Sequence, residues 1–191
     1  LRAGGVVVAF NPMFKPSELE YEINDAGLEI LVGADYLYPE VLKIEGDLQL
    51  KKVIITSLRD YLPENPILPL PAEAEAPEEN FENTLDFKDF LAKAAIDPCC
   101  LVNDLKEDLA LLQYTGGTTG TPKGAMLTHY NLGFAAVSAA YWFRMRDDDV
   151  SLGVTPFFHV MGMVVGMCTP LITGGKIAVL SRFVPDTTAQ A

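Results

Sequence analysis

The sequence predicts a layered α/β fold with a mainly parallel sheet, and three observations carry that expectation. Strand-like and helix-like segments alternate along the first 62 residues. The strand-like runs are continuous in Val, Ile and Leu instead of alternating with polar residues, as strands covered on both faces read. With 49% hydrophobic and 21% charged residues among 191, the chain can bury a sizeable core. That composition excludes a wholly disordered, collagen-like or disulfide-scaffold protein.

Gly5–Phe10 predicts the first strand. After the turn at Asn11-Pro12, Ser17 and Glu20 read as a capping box for a helix carrying Leu19, Ile23 and Ala26 on one face, with Gly27 as its C-terminal stop. Glu29–Val32 predicts the second strand, Pro39–Ile44 a short helix and Val53–Thr56 the third strand. Residues 1–62 therefore read as a βαβαβ segment of a parallel sheet. Residues 63–82 hold five prolines from Pro63 to Pro77 beside Glu73, Glu75, Glu78 and Glu79, a solvated surface excursion by composition. Residues 83–191 read as the continuation of the same domain. Asn83 would cap a helix bearing Leu85, Phe90, Leu91 and Ala94, and the sheet resumes at Leu109–Thr115.

The net charge is −12, which argues against a nucleic-acid partner. The charge is uneven: −4 over residues 1–62, −9 over 63–108 and +1 over 109–191. The C-terminal stretch is thus the part least hostile to an anionic ligand. Cys99, Cys100 and Cys168 have neither framework nor zinc-site spacing, so a reducing, cytoplasmic setting is expected. Val150–Gly175 contains no Asp, Glu, Lys or Arg and is long enough to span a bilayer. Pro156, Pro170 and three internal glycines break it, so a buried strand followed by a buried helix is the expectation.

The chemistry concentrates in Thr115–Gly124, where four glycines, four threonines and one lysine fall within ten residues. Glycines let backbone N–H groups converge on an anion without Cβ obstruction, threonine hydroxyls add donors, and Lys123 adds a mobile positive charge. The set suits a polyphosphate. It is not a Walker loop, because Pro122 precedes Lys123, Gly124 follows it, and Ala125–Leu127 continues as a strand. The loop therefore joins two strands, and a helix begins only near Thr128–Asn131.

Gln113-Tyr-Thr-Gly-Gly-Thr-Thr-Gly120, followed by Lys123-Gly-Ala-Met-Leu-Thr-His129, resembles the phosphate loop of the acyl-adenylate-forming (AMP-binding) superfamily, and its wording is most similar to the long-chain fatty-acid–CoA ligase branch. Ala3–Pro12 with Glu18-Leu19, Thr155–Gly162, Gly174-Gly175 and Arg182-Phe183 resemble further stretches of the same family, in the same order. The resemblance implies the family's large N-terminal α/β domain and an AMP-forming ligase that uses a fatty acid, ATP, magnesium and coenzyme A. It implies that Thr115, Gly116, Gly117, Thr118, Thr119, Gly120 and Thr121 cradle the β- and γ-phosphates. Lys123 and Thr118 then take the catalytic part, Thr119 is the candidate neighbour of magnesium, and His159 borders the reacting carboxylate. Peripheral contact of the parent enzyme with a membrane is a further implication. No Tyr-Gly-x-Thr-Glu segment or ribose-binding aspartate motif is visible, so the sequence reads as an internal fragment that is inactive alone. Three rivals stand beside this reading: a ligase for an aromatic or short-chain acid, a nucleotide-binding module without chemistry, and a membrane-inserted structural segment around 150–175.

Several other residues carry open alternatives. His129 and Asn131 sit at a helix start behind the candidate cap Thr128. Tyr141, Trp142 and Phe143 read as helix core or as lining of an acyl tunnel, as do Met161, Met163 and Met167. Asp147-Asp148-Asp149 reads as a solvated turn, because three consecutive carboxylates do not face one point.

Overall fold

The computed structural model describes all residues except 2, 45, 47, 67, 76–78, 94–103, 117–119, 181–182 and 190–191. Expectations for Ala94, Cys99, Cys100 and Arg182 lie outside the described residues. Strand β1 (Val7–Val8) is shorter than the predicted Gly5–Phe10 run. It pairs in parallel with Leu111–Leu112 and not with the next strand in sequence. That long-range pairing places Leu1–Asn11 in one compact unit with Cys99–Ala191, while Pro12–Pro98 forms a second unit. The βαβαβ reading of 1–62 thus loses its first strand to another sheet.

In the unit Pro12–Pro98, helix α1 (Pro16–Asp25) starts earlier than the sequence suggests. Pro16 takes the first helical position, where its missing N–H costs nothing. Ser17 is already inside the helix, and Glu18 Oε2 accepts the Lys15 backbone N–H at 2.8 Å. Leu19 and Ile23 bury the inner face. The helix ends as expected at Gly27, at φ +60°: Leu28 N–H donates to Ile23 O and Gly27 N–H to Asn24 O. This double bond is the Schellman closure.

Strand β2 (Ile30–Ala34) follows, then helix α2 (Tyr38–Leu42) and strand β3 (Lys52–Thr56). β2 and β3 run parallel, from Ile30 opposite Lys52 to Ala34 opposite Thr56. Residues 63–82 are not wholly a solvated excursion. Helix α3 (Ala72–Glu75) buries Ala74, and Arg59 donates from Nε to Ala74 O and from Nη2 to Glu75 O. The guanidinium satisfies carbonyls that a four-residue helix leaves open. Strand β4 (Leu85–Asp86) adds in parallel to β3, and Asp86 caps helix α4 (Phe87–Ala92) by accepting the Asp89 N–H at 2.8 Å. Asn83 instead occupies a left-handed turn at φ +59°.

The other unit is built on strands β5 (Leu109–Thr115) and β6 (Lys123–Thr128), which form the expected strand–loop–strand hairpin. β5 is the central strand between β1 and β6. Helix α5 (His129–Phe143) follows directly. Thr128 Oγ1 accepts the Asn131 N–H, and Asn131 Oδ1 accepts the Thr128 N–H, so the cap is the one expected. The core gathers Ala110 and Leu111 of β5, Leu132 and Ala136 of α5, and Met163 and Val164.

The apolar stretch 150–175 resolves into strand β7 (Val150–Gly153), a π-helical segment (Gly162–Cys168) and helix α6 (Thr169–Thr173). The wide π register is met by Thr169, which bonds Val164 O, five residues back, through its hydroxyl at 2.7 Å. β7 pairs in parallel with strand β8 (Lys176–Val179), and a last short helix, α7 (Pro185–Thr188), follows. Among the described residues no helix is long and apolar enough to cross a membrane. Four of the five strand pairings between described residues are parallel, the exception being the β5–β6 hairpin.

Candidate functional site

The apolar run of β5 stops at Leu112, and the glycine–threonine run begins where the hairpin opens. At its mouth Thr115 faces Lys123, and the Thr115 hydroxyl donates to Lys123 O at 3.4 Å. One residue in, Tyr114 faces Gly124, and a Cβ on Gly124 would lie 3.3 Å from the tyrosine ring. That glycine is explained by packing.

Gly116 and Gly120 are not. Neither has a positive φ, and a Cβ built on either meets nothing within 4 Å. Nothing among the described residues requires glycine at these two positions. Their bare backbone is what close approach of an anion requires. Thr121 and Lys123 are exposed beside them, and Lys123 has no carboxylate partner among the described residues. Gly117, Thr118 and Thr119 lie outside the described residues. The donor set fits a polyphosphate: exposed hydroxyl, unobstructed backbone and an unneutralised ammonium.

His159 stands just before the π-helical segment. Its N–H donates to Pro156 O at 3.1 Å, and its carbonyl accepts the Met163 N–H at 2.9 Å. Its Nδ1 accepts the Met161 N–H at 3.4 Å, so the neutral ring carries its proton on Nε2 and presents a donor from an exposed side chain. Such a donor suits a carboxylate. The segment is shaped by a close backbone approach: a Cβ on Gly162 would fall 2.1 Å from Pro156 O. Phe157 packs beside Gly153 and Gly166, whose added Cβ atoms would lie 3.0 and 3.4 Å from its ring.

The structure ties these two segments through a residue not singled out from the sequence. Gln113 Nε2 donates to Phe158 O at 3.3 Å and to Tyr114 O at 3.4 Å. A polar amide directly after the apolar run Leu109–Leu112 was the available signal.

The remaining candidates are placed plainly. Tyr141 and Trp142 are 86% and 81% exposed at the end of α5 in this chain. They line an open cleft of about 740 Å³ with Val137, Ala140, Arg144 and Met145. Met163 is core and Met167 packs on it, whereas Met161 is exposed. His129 donates its N–H to Asp108 O, and its buried Nε2 finds no partner among the described residues. Asp148 and Asp149 are bound to Arg146 in a local turn. Among the described residues no group of three or more His, Cys, Asp or Glu side chains stands ready for a metal, so magnesium receives no ligand set from them.

The fold is an α/β domain with mostly parallel strands, and its one antiparallel pairing among the described residues is the glycine- and threonine-rich hairpin. The chain belongs to the AMP-binding enzyme family, whose model matches residues 1–191. It is 35% identical to a long-chain-fatty-acid–CoA ligase of Bacillus subtilis, over 100% of this chain and 35% of that protein. ATP-bound MatB from Rhodopseudomonas palustris superposes with TM-score 0.73 at 26% identity, covering 97% of this chain and 32% of its own. The long-chain-fatty-acid-CoA ligase FadD1 from Archaeoglobus fulgidus superposes with TM-score 0.72 at 27% identity, covering 95% and 31%. The chain spans about a third of the length of the curated relatives it matches.

Proposed function

We propose that this chain supplies the triphosphate-binding and acid-facing parts of an AMP-forming fatty-acid–CoA ligase. The observation that carries the reading is the hairpin mouth, where among the described residues nothing crowds Gly116 or Gly120 and the Lys123 ammonium has no carboxylate partner, tied through β5 to the turn of His159. The Bacillus subtilis relative and the FadD1 structure, both named for long-chain fatty acids, support the choice of acid.

A carboxylate is a poor electrophile at carbon, so the reaction proceeds in two transfers. The acid's carboxylate oxygen attacks the α-phosphorus of ATP, the bond to the β-phosphate bridging oxygen breaks, and pyrophosphate leaves. The thiol of coenzyme A then attacks the acyl carbonyl of the adenylate, and AMP leaves. In the first transfer charge builds on the departing pyrophosphate. The Lys123 ammonium, the Thr115–Thr121 backbone and the Thr118 and Thr121 hydroxyls offset it in this reading. The His159 Nε2–H would hold the acid's carboxylate in line. Thr119 would be the neighbour of a magnesium ion bound with the triphosphate, which would supply further charge neutralisation there. A cytoplasmic setting with peripheral membrane contact completes the proposal.

The test is ATP–pyrophosphate exchange in the full-length protein with a panel of long-chain, short-chain and aromatic acids. Long-chain acids should drive exchange best. Preference for an aromatic or short acid would overturn the acid assignment, and no acid-dependent exchange would overturn the ligase itself.

A further inference from the structure

We propose that Gln113 is a positioning residue for the acid: its amide holds the turn that carries His159 against the strand leading into the phosphate loop. This deepens the ligase reading and rests on it. Gln113 lies in β5 two residues before Thr115, so any shift of the phosphate loop's base is felt by its side chain. Its Nε2 bonds Phe158 O, 45 residues away in sequence. That carbonyl belongs to the peptide unit whose nitrogen is His159 N, and the same nitrogen donates to Pro156 O. A peptide unit is planar and rigid, so tying both its ends fixes the direction in which the His159 Cα presents its ring.

Phe157 and Gly162 pack the two flanks of this turn, but not its crest. His159, Val160 and Met161 are exposed, and only Gly162 onward enters the core. Hydrogen bonds add to that packing in setting the position of His159, and the Gln113 bond is the one that reaches it from the hairpin. The amide is also an uneconomical choice for a strand that only needs to pack. Gln113 Oε1 is buried with no partner among the described residues, an unmet acceptor that a leucine would not leave. Holding the Phe158 carbonyl is the use the geometry gives it.

The test compares Gln113→Leu and Gln113→Glu with wild type in the full-length protein. Leucine keeps the bulk and loses the donor; ionised glutamate keeps the shape and offers only acceptors. Misplacing a reacting group by about an ångström costs up to roughly a hundredfold in rate, so the acid's KM should rise at least about tenfold in pyrophosphate exchange. The KM for ATP should stay within about twofold in the same assay, because the loop's own donors are untouched. Protonated glutamate donates again, so Gln113→Glu should regain part of its acid affinity at low pH, and Gln113→Leu should not. Backbone amide exchange over residues 156–163 should quicken in both variants while residues 123–128 keep their wild-type rates. Gln113→Asn, one methylene short, replaces the leucine variant if that variant does not fold. Equal rises in both KM values, or unchanged amide exchange over 156–163, would overturn the proposal. Wild-type protein without acid-dependent exchange would instead sink the ligase reading, and the amide-exchange contrast would then decide the Gln113 tether by itself.

Discussion

Gln113 and Phe158 are joined by a 3.3 Å hydrogen bond from a side-chain amide to a main-chain carbonyl. The bond connects the strand that ends at the hairpin mouth to the turn that bears His159. In the proposed reaction the two segments have separate chemical tasks, and a bond between them would keep their reacting groups in register.

The phosphate loop should be separable from the fold by mutation. Gly120 has open space where a Cβ would go, and Lys123 is exposed. Gly120→Val with Lys123→Ala in the full-length protein should lower pyrophosphate exchange by about a hundredfold or more, as loss of charge-stabilising donors does elsewhere. The thermal midpoint should move by no more than about 2 °C. Near-normal exchange in the folded double variant would refute the assignment of this loop.

Glycines in the two chemical segments should behave oppositely. Gly116→Ala meets nothing within 4 Å and should leave stability within about 0.5 kcal/mol. Gly162→Ala would press a methyl to 2.1 Å from Pro156 O and 2.6 Å from Thr155 O. Backbone atoms cannot step aside as a flexible side chain can, so a loss of about 3 kcal/mol or more is expected. Denaturant titrations of the two variants read the contrast, and equal midpoints would contradict it.

The hairpin, its glycine–threonine mouth and the capped helix behind it were legible because each is written locally. Leu109–Thr115 is an apolar run, Thr128 and Asn131 satisfy one another three residues apart, and the loop composition is unusual. What was not legible depends on distant partners. Val7 pairs with Leu111, a choice no local pattern records, so the first strand was assigned to the wrong sheet. Ser17 looked like a cap until Pro16 moved the helix start forward. Trp142 and Tyr141 carry the composition of a core yet stand exposed, since helix-face burial depends on what lies across from it. Gln113 was passed over because one amide in a strand has no periodic signature.

Arg59 should matter for stability despite lying beside the acidic, proline-rich stretch. Its guanidinium bonds the carbonyls of Ala74 and Glu75, anchoring a helix too short to persist alone. Arg59→Ala should cost about 1–2 kcal/mol, since charge-assisted bonds to carbonyls are lost together. Arg59→Lys should recover only part of it, because an ammonium lacks the paired fork that reaches two carbonyls. Faster proteolysis within 63–82 in Arg59→Ala would accompany the loss, and an unchanged unfolding midpoint would count against it.

Glu22 should give the protein a stability that falls as the medium becomes less acidic. Its carboxyl is buried on the inner face of α1, and Oε2 has no partner among the described residues. Burial, with the charges of Glu18 and Asp25 adding to it, pushes its pKa from 4.5 up to about 7. Between those two values the folded protein holds a proton that the unfolded chain has released. Stability from this group is therefore fully present below about pH 4.5, declines as the pH rises toward 7, and is lost above it. Glu22→Gln removes the titration and keeps the side chain's shape. Relative to wild type, the variant should gain stability steadily from pH 5 to pH 8, by on the order of 1 kcal/mol at the upper end. All other titrating groups are common to both proteins, so the difference between their denaturant midpoints isolates Glu22. A difference that stays flat across that range, or grows toward acid, would show that the carboxylate has found a partner or water in the folded state.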